Sequence, residues 1–277
     1  MTRELGKANG GWIWGLILIY FIASVILHVE VGGWINGCFE NLSRTDYNNI
    51  ISAVALLTAA LVAYKIFRTH RLRALPSIVW LTIGYTIVAI ILSFNLFFVI
   101  NIEAIHFLQY GILAFLIKRF MSSYLSVAII CTLAGAYDEL FQYLVLDTRA
   151  TYYDFNDVFL DAVGAGIGLL ASWLVSGGIK TEILRKKSWW KRPEWILLGI
   201  TTISLLIAAV IGEFTINPRP TGELAFFTLF KEAPQGFWHY PTGPYARYHI
   251  LKPIPGLLLI CITVYIYGRL DKLLVES

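Results

Sequence analysis

Between Asn101 and Gly168 the chain carries three groups of side chains able to move a proton or hold a charged ligand. In "NIEAIHFLQYGI", Glu103, His106 and Tyr110 are three and four residues apart, so a helix puts them on one face with Gln109 beside them. In "AYDELFQYLVLDTR", Glu139 lies three residues and Asp138 four residues before Gln142, and Arg149 follows. In "DFNDVFLDAVGAGIG", Asp154, Asp157 and Asp161 lead at helical spacing into Gly164 and Gly168. A histidine with an ordinary pKa near ~6.5 suits a proton relay, with Glu139 or Asp161 as acid or base and Asp157 as the neighbouring acid. Arg149 offers a planar fork for a phosphate or carboxylate. Gln142, Tyr110, Glu103 and Asp138 are the expected substrate contacts. Crowded carboxyls predict that at least one keeps its proton unless His106, Arg149 or a cation neutralises it. Asp157, Asp161, Glu139, Glu103 and His106 would also suit a divalent cation such as Mg, Mn or Zn, although no linear metal motif is present.

These groups sit in a chain that should avoid them. Of 277 residues, 57% are hydrophobic and only 14% charged, with a mean hydropathy of +0.67, which excludes an ordinary soluble domain. Ionisable residues cost at least ~2.5 kcal/mol at the bilayer centre and are functional candidates by default. Apolar stretches at about Gly11–His28, Asn49–Phe67, Ser77–Ile100, Glu103–Ile117, Tyr124–Leu146, Asp157–Val175, Trp195–Ile211 and Ile250–Tyr267 predict an all-α, polytopic transmembrane bundle of about eight spans. The fourth is short and begins with Glu103 and His106, so it is expected to be tilted or protein-lined; without it seven spans remain.

With both termini cytoplasmic, sixteen of the 22 lysines and arginines fall on inner loops, as the positive-inside rule requires. Thirteen of the eighteen acids and four of the five histidines then face out. The net charge of +4 therefore reports topology and gives no reason to expect nucleic acid as a partner. The first span reads as a retained helix and not as a removed signal peptide. Cys38, Cys131 and Cys261 form no metal spacing and no disulfide framework.

Two outer segments are long. Glu30–Thr45 holds Gly32, Gly33 and Gly37, and Glu213–His249 holds five prolines and many aromatic rings. Singly these rings read as interface anchors; together they offer a roof for an outward pocket. Gly164, Gly166 and Gly168 permit close helix packing. The whole chain reads as one membrane domain, residues 1–277.

The combined pattern resembles the VanZ-like family of bacterial membrane proteins. It is carried by His106 and Tyr110, then Asp138, Glu139, Gln142 and Arg149, then Asp157, Asp161, Gly164 and Gly168, over residues 102–175. Asp161 stands where Asn is common, making this site more acidic than the pattern. The resemblance implies the bacterial cytoplasmic (inner) membrane, and its namesake is associated with resistance to teicoplanin, a lipid-tailed glycopeptide acting outside the cell. Membrane lipids, a lipid-linked envelope precursor or a glycopeptide are the partners it suggests. The pattern fits a site that binds or modifies such an amphiphile, whether or not it is catalytic. The alternatives are a proton-coupled transporter, a metal-assisted site, and a polar network serving a non-catalytic envelope interaction protein.

Overall fold

The computed structural model describes residues 10–39, 41–69, 75–98, 101–144, 153–175, 193–210, 228–232 and 247–274. The chain divides into two compact units, Met1–Asn41 and Leu42–Ser277. In the first, helix α1 (Gly10–Cys38) exposes Trp12, Leu18, Ile19 and Leu27. This helix corrects the expectation of a loop from Glu30. The backbone stays helical through Gly33, Trp34 and Gly37, and Cys38 is an exposed last residue of the helix.

In the second unit, α2 (Arg44–Thr69) starts at a local cap. The Ser43 hydroxyl accepts from the Asp46 N–H at 3.1 Å and donates to its carboxylate at 2.7 Å. Helix α3 (Ser77–Leu92) follows Pro76 and ends in a π-helical turn, Ser93–Phe97. A 3₁₀ turn, Asn101–Ala104, leads into α4 (Ile105–Lys118). Then come α5 (Tyr124–Leu144), α6 (Phe155–Val175), α7 (Pro193–Val210) and α8 (Pro253–Gly268), the last started by proline and extended by a 3₁₀ turn, Arg269–Leu274. Each of the described α-helices overlaps one of the eight apolar stretches, α1 running on past its stretch to Cys38. Four of them, Ser77–Phe97, Tyr124–Leu144, Phe155–Val175 and Pro253–Leu273, are long and apolar enough to cross a membrane. At 21 residues each, they extend about 30 Å.

The fold is mostly helical, with one addition to the all-α reading. Within the long segment before α8, β1 (Thr228–Glu232) pairs antiparallel with β2 (Arg247–Leu251), Phe230 opposite His249. Apart from these strands, the segment Glu213–His249 lies outside the described residues.

Helix α6 is the centre of the second unit, and its glycines explain why. A Cβ on Gly168 would strike the Gly111 carbonyl of α4, and one on Gly164 would lie 2.8 Å from the His106 carbonyl. Helices α4 and α6 therefore approach almost backbone to backbone, as small residues allow in membranes. On the opposite side, Gly166 admits the ring of Tyr267 from α8, whose hydroxyl meets that of Thr86 on α3 at 2.8 Å. The short α4 is accordingly lined by protein along much of its length, including His106, Tyr110, Leu113, Ala114 and Ile117. Leu251, Phe97, Phe98, Phe155, Phe159 and Ile260 close the core near the start of α6.

The far end of the unit is polar in another way. Asp271 accepts from the Ser123 hydroxyl at 2.8 Å and from the backbone N–H groups of Tyr124 and Leu125. Nearby, the Ser126 hydroxyl donates to Glu194 at 2.7 Å, and the Lys118 ammonium lies 4.1 Å from the Tyr124 ring centre.

Candidate functional site

The site forms where the beginnings of α4 and α6 meet the end of α5. Four-residue spacing on α4 turns His106 and Tyr110 the same way, and both are buried. The His106 ring, through Nδ1, meets Asp161 Oδ1 at 2.8 Å. The Tyr110 hydroxyl donates to Asp138 Oδ2 at 3.0 Å, and Gln142 Nε2 donates to the other oxygen, Oδ1, at 2.9 Å. Asp161, Asp138, Glu139 and His106 are 1%, 2%, 4% and 6% exposed, so this cluster is interior and not a solvated rim.

The carboxylates have distinct surroundings. Asp138 uses one oxygen for a phenol and the other for an amide, an arrangement that fixes its orientation. Asp161 has one oxygen on imidazole and the other against the bare backbone of Gly135. Glu139 Oε1 accepts the backbone N–H of Asp154 at 2.9 Å, tying α5 to the start of α6. When the His106 Nδ1–H donates to Asp161, the neutral ring carries its basic lone pair on Nε2. Chemically, such a contact can share or transfer a proton, while Asp138 holds the Tyr110 hydroxyl.

Three sequence expectations are adjusted here. Asp154 does not share the helical face of Asp157 and Asp161: it precedes α6, and its carboxylate accepts the Asn156 N–H at 2.8 Å. Glu103 belongs to the 3₁₀ turn ahead of α4, half-buried, and not to the same α-helical stripe as His106 and Tyr110. Among the described residues, no group of three or more His, Cys, Asp and Glu side chains is placed to hold a metal ion. Of the five ligands read from the sequence, His106 and Asp161 meet each other, Glu139 turns to the backbone of Asp154, and Glu103 lies on the turn ahead of α4. Asp157 is half-buried on the first turn of α6, one turn before Asp161. Arg149 lies outside the described residues. Gln109 is buried on α4 beside the pair.

Two contributors were not singled out by sequence. Asn156 donates through Nδ2 to the His249 carbonyl at 2.8 Å and accepts the Leu251 N–H through Oδ1 at 2.9 Å. One side-chain amide thereby serves the free edge of β2 as another strand would. Tyr153 is buried just before α6, its hydroxyl donating to the Ala136 carbonyl at 3.2 Å, and burial raises its phenol well above the ordinary value. The signal for both was their place within the acidic stretch, between or beside the aspartates.

No curated protein and no solved structure matches the chain. A match to the family model described as VanZ/LLP1 spans residues 50–176, beginning well ahead of the 102–175 core that carries the motif and taking in most of α2 and all of α3. His106, Tyr110, Asp138, Glu139, Gln142 and Asp161 all lie within the segment that is similar to the VanZ/LLP1 family.

Proposed function

We propose that this is a multi-pass protein of the bacterial cytoplasmic membrane, with eight spans and both termini inside, that binds or modifies a lipid or lipid-linked envelope amphiphile. The observation that carries the reading is the His106–Asp161 contact, buried beside the Tyr110–Asp138–Gln142 cluster in helices whose other surfaces are apolar. A titratable pair in that setting is costly to keep without a ligand or a reaction to serve. The basic residues of the inner loops support an outward site. Phe94, Phe98 and Phe107, in ring contact along the entry to α4, and Phe97 against Phe159 of α6 supply apolar surface next to it. In this reading His106 and Asp161 handle a proton, Glu139 and Asp157 set the local charge, and Arg149 engages an anionic headgroup group. The family resemblance adds a role in teicoplanin-type glycopeptide resistance.

Native mass spectrometry of gently purified protein tests this directly. A lipid or lipid-linked molecule retained by the parent and absent from an Asp161→Asn, Glu139→Gln double variant of equal stability is expected. Equal occupancy, or two empty proteins, would move the acids to a structural role. A second reading, a proton-coupled carrier, is favoured by the π-helical turn at Ser93–Phe97, since such turns recur at functional sites. Proton-gradient-driven flux in liposomes, lost with Asp161→Asn, would replace the first reading with the second.

A further inference from the structure

We infer that Gly135 is the positioning residue that seats the Asp161 carboxyl on His106. Gly135 lies on α5 one helical turn before Asp138 and Glu139. A Cβ built there would overlap Asp161 Oδ2 and stand only 2.7 Å from Asp161 Cβ and 2.9 Å from its Cγ. The conflict is not with the far end of a flexible chain. Asp161 Cβ is fixed to the α6 backbone, so no rotation about χ1 removes it. On its other side the same carboxyl meets the His106 ring at 2.8 Å. The acid is therefore held between an imidazole from α4 and a stretch of α5 backbone without a side chain.

Other described glycines have different neighbours. Gly164 and Gly168 face the backbone of α4, Gly166 faces the Tyr267 ring, and Gly256 and Gly268 face Phe155 and Leu125. Gly84 and Gly199 face open space. Among the described glycines, Gly135 is the one whose missing side chain is replaced by a carboxylate. Helix propensity by itself favours alanine at such a position, so glycine here runs against the local preference of α5. The space it leaves is what lets Asp161 lie between the helices with its oxygen aimed at Nδ1.

The assignment rests on the reading of His106 and Asp161 as the working pair, and its test is independent of any ligand. Protein labelled with ¹⁵N at histidine is observed by NMR in detergent micelles, and the His106 Nδ1–H resonance is identified by its disappearance in His106→Gln. That resonance is expected to be lost in Gly135→Ala and kept in Gly166→Ala, which disturbs the Tyr267 contact on the opposite side of α6. Persistence in Gly135→Ala overturns the inference. So does equal loss in both variants, which would report general loosening. Should Gly135→Ala fold poorly, Asp161→Gly in the same chain is expected to restore folded yield, because it removes the Cβ that the alanine meets. Strictly additive losses in that double variant also overturn the inference. Lipid retention measured on the same samples separates the two questions. A lost resonance with unchanged retention leaves Gly135 as the seat of Asp161 and contradicts the proposed function alone.

Discussion

At the end of the bundle where α5 begins, Asp271 takes two backbone N–H groups and a serine hydroxyl, whereas at the other end Asp161 and Asp138 take an imidazole and a phenol from α4. Both arrangements place acids in an apolar chain, Asp271 half-buried and Asp161 and Asp138 fully buried, and they solve different problems. Asp271 sits on the N-terminus of a helix, where unsatisfied N–H groups and the helix dipole favour negative charge whatever the substrate. Asp161 faces a side chain that can itself gain or lose a proton, and no helix end requires it there. Glu139 stands between the two cases, its Oε1 occupied by the Asp154 N–H at the start of α6. Burial alone therefore does not separate these acids, since Glu139 is buried like Asp161 and still serves backbone; the kind of partner separates them, and it carries the proposed division of roles.

That comparison can be broken or sharpened in order of effect. Gly168, on the stretch of α6 between the two ends, has the Gly111 carbonyl where its Cβ would be. Gly168→Ala should lower stability by about 3 kcal/mol or more, the upper range for overpacking, because the obstacle is backbone; a detergent-to-denaturant titration reads it, and an unchanged midpoint would mean the helices separate cheaply. Asp161→Asn removes a charged partner of His106, a change of about 1.5–3 kcal/mol for such hydrogen bonds, so ligand retention should fall roughly tenfold to a hundredfold. Asp271→Asn keeps one acceptor oxygen at the helix N-terminus and loses the charge, so it should cost about 0.3–1 kcal/mol of stability with no effect on retention. The smallest effect belongs to Asn156→Ala. Backbone exchange at Leu251 should speed up in hydrogen–deuterium exchange while α5 and α8 keep their protection, and unaltered exchange would show that β2 does not depend on that amide.

Local spacing made much of the site legible. The four-residue interval of Asp138 and Gln142 became a hydrogen bond within one helix, and that of His106 and Tyr110 became two contacts directed at neighbouring helices. Partners distant in sequence were less legible. Nothing in "FND" specifies that Asn156 will bridge His249 and Leu251, since the strand it serves comes from beyond α7. Gly135 carries its information as an absence, visible only once Asp161 is beside it. Helical period placed Asp154 on the face of Asp157, but its role in turning the chain into α6 keeps it outside the helix. The extension of α1 to Cys38 went unread because Gly33 and Gly37 mark loops in soluble chains, whereas membrane helices accept glycine more readily. Two five-residue strands in a segment rich in proline and aromatic residues offered too short a pattern to separate from loop.

The most direct measurement is ligand retention by native mass spectrometry for Asp161→Asn and Asp271→Asn side by side, each matched to the parent for folded protein. Loss of the retained amphiphile in Asp161→Asn with parent-like occupancy in Asp271→Asn is the predicted result. Equal occupancy in both variants, or equal loss, would contradict the division between a functional acid at one end of the bundle and a helix cap at the other.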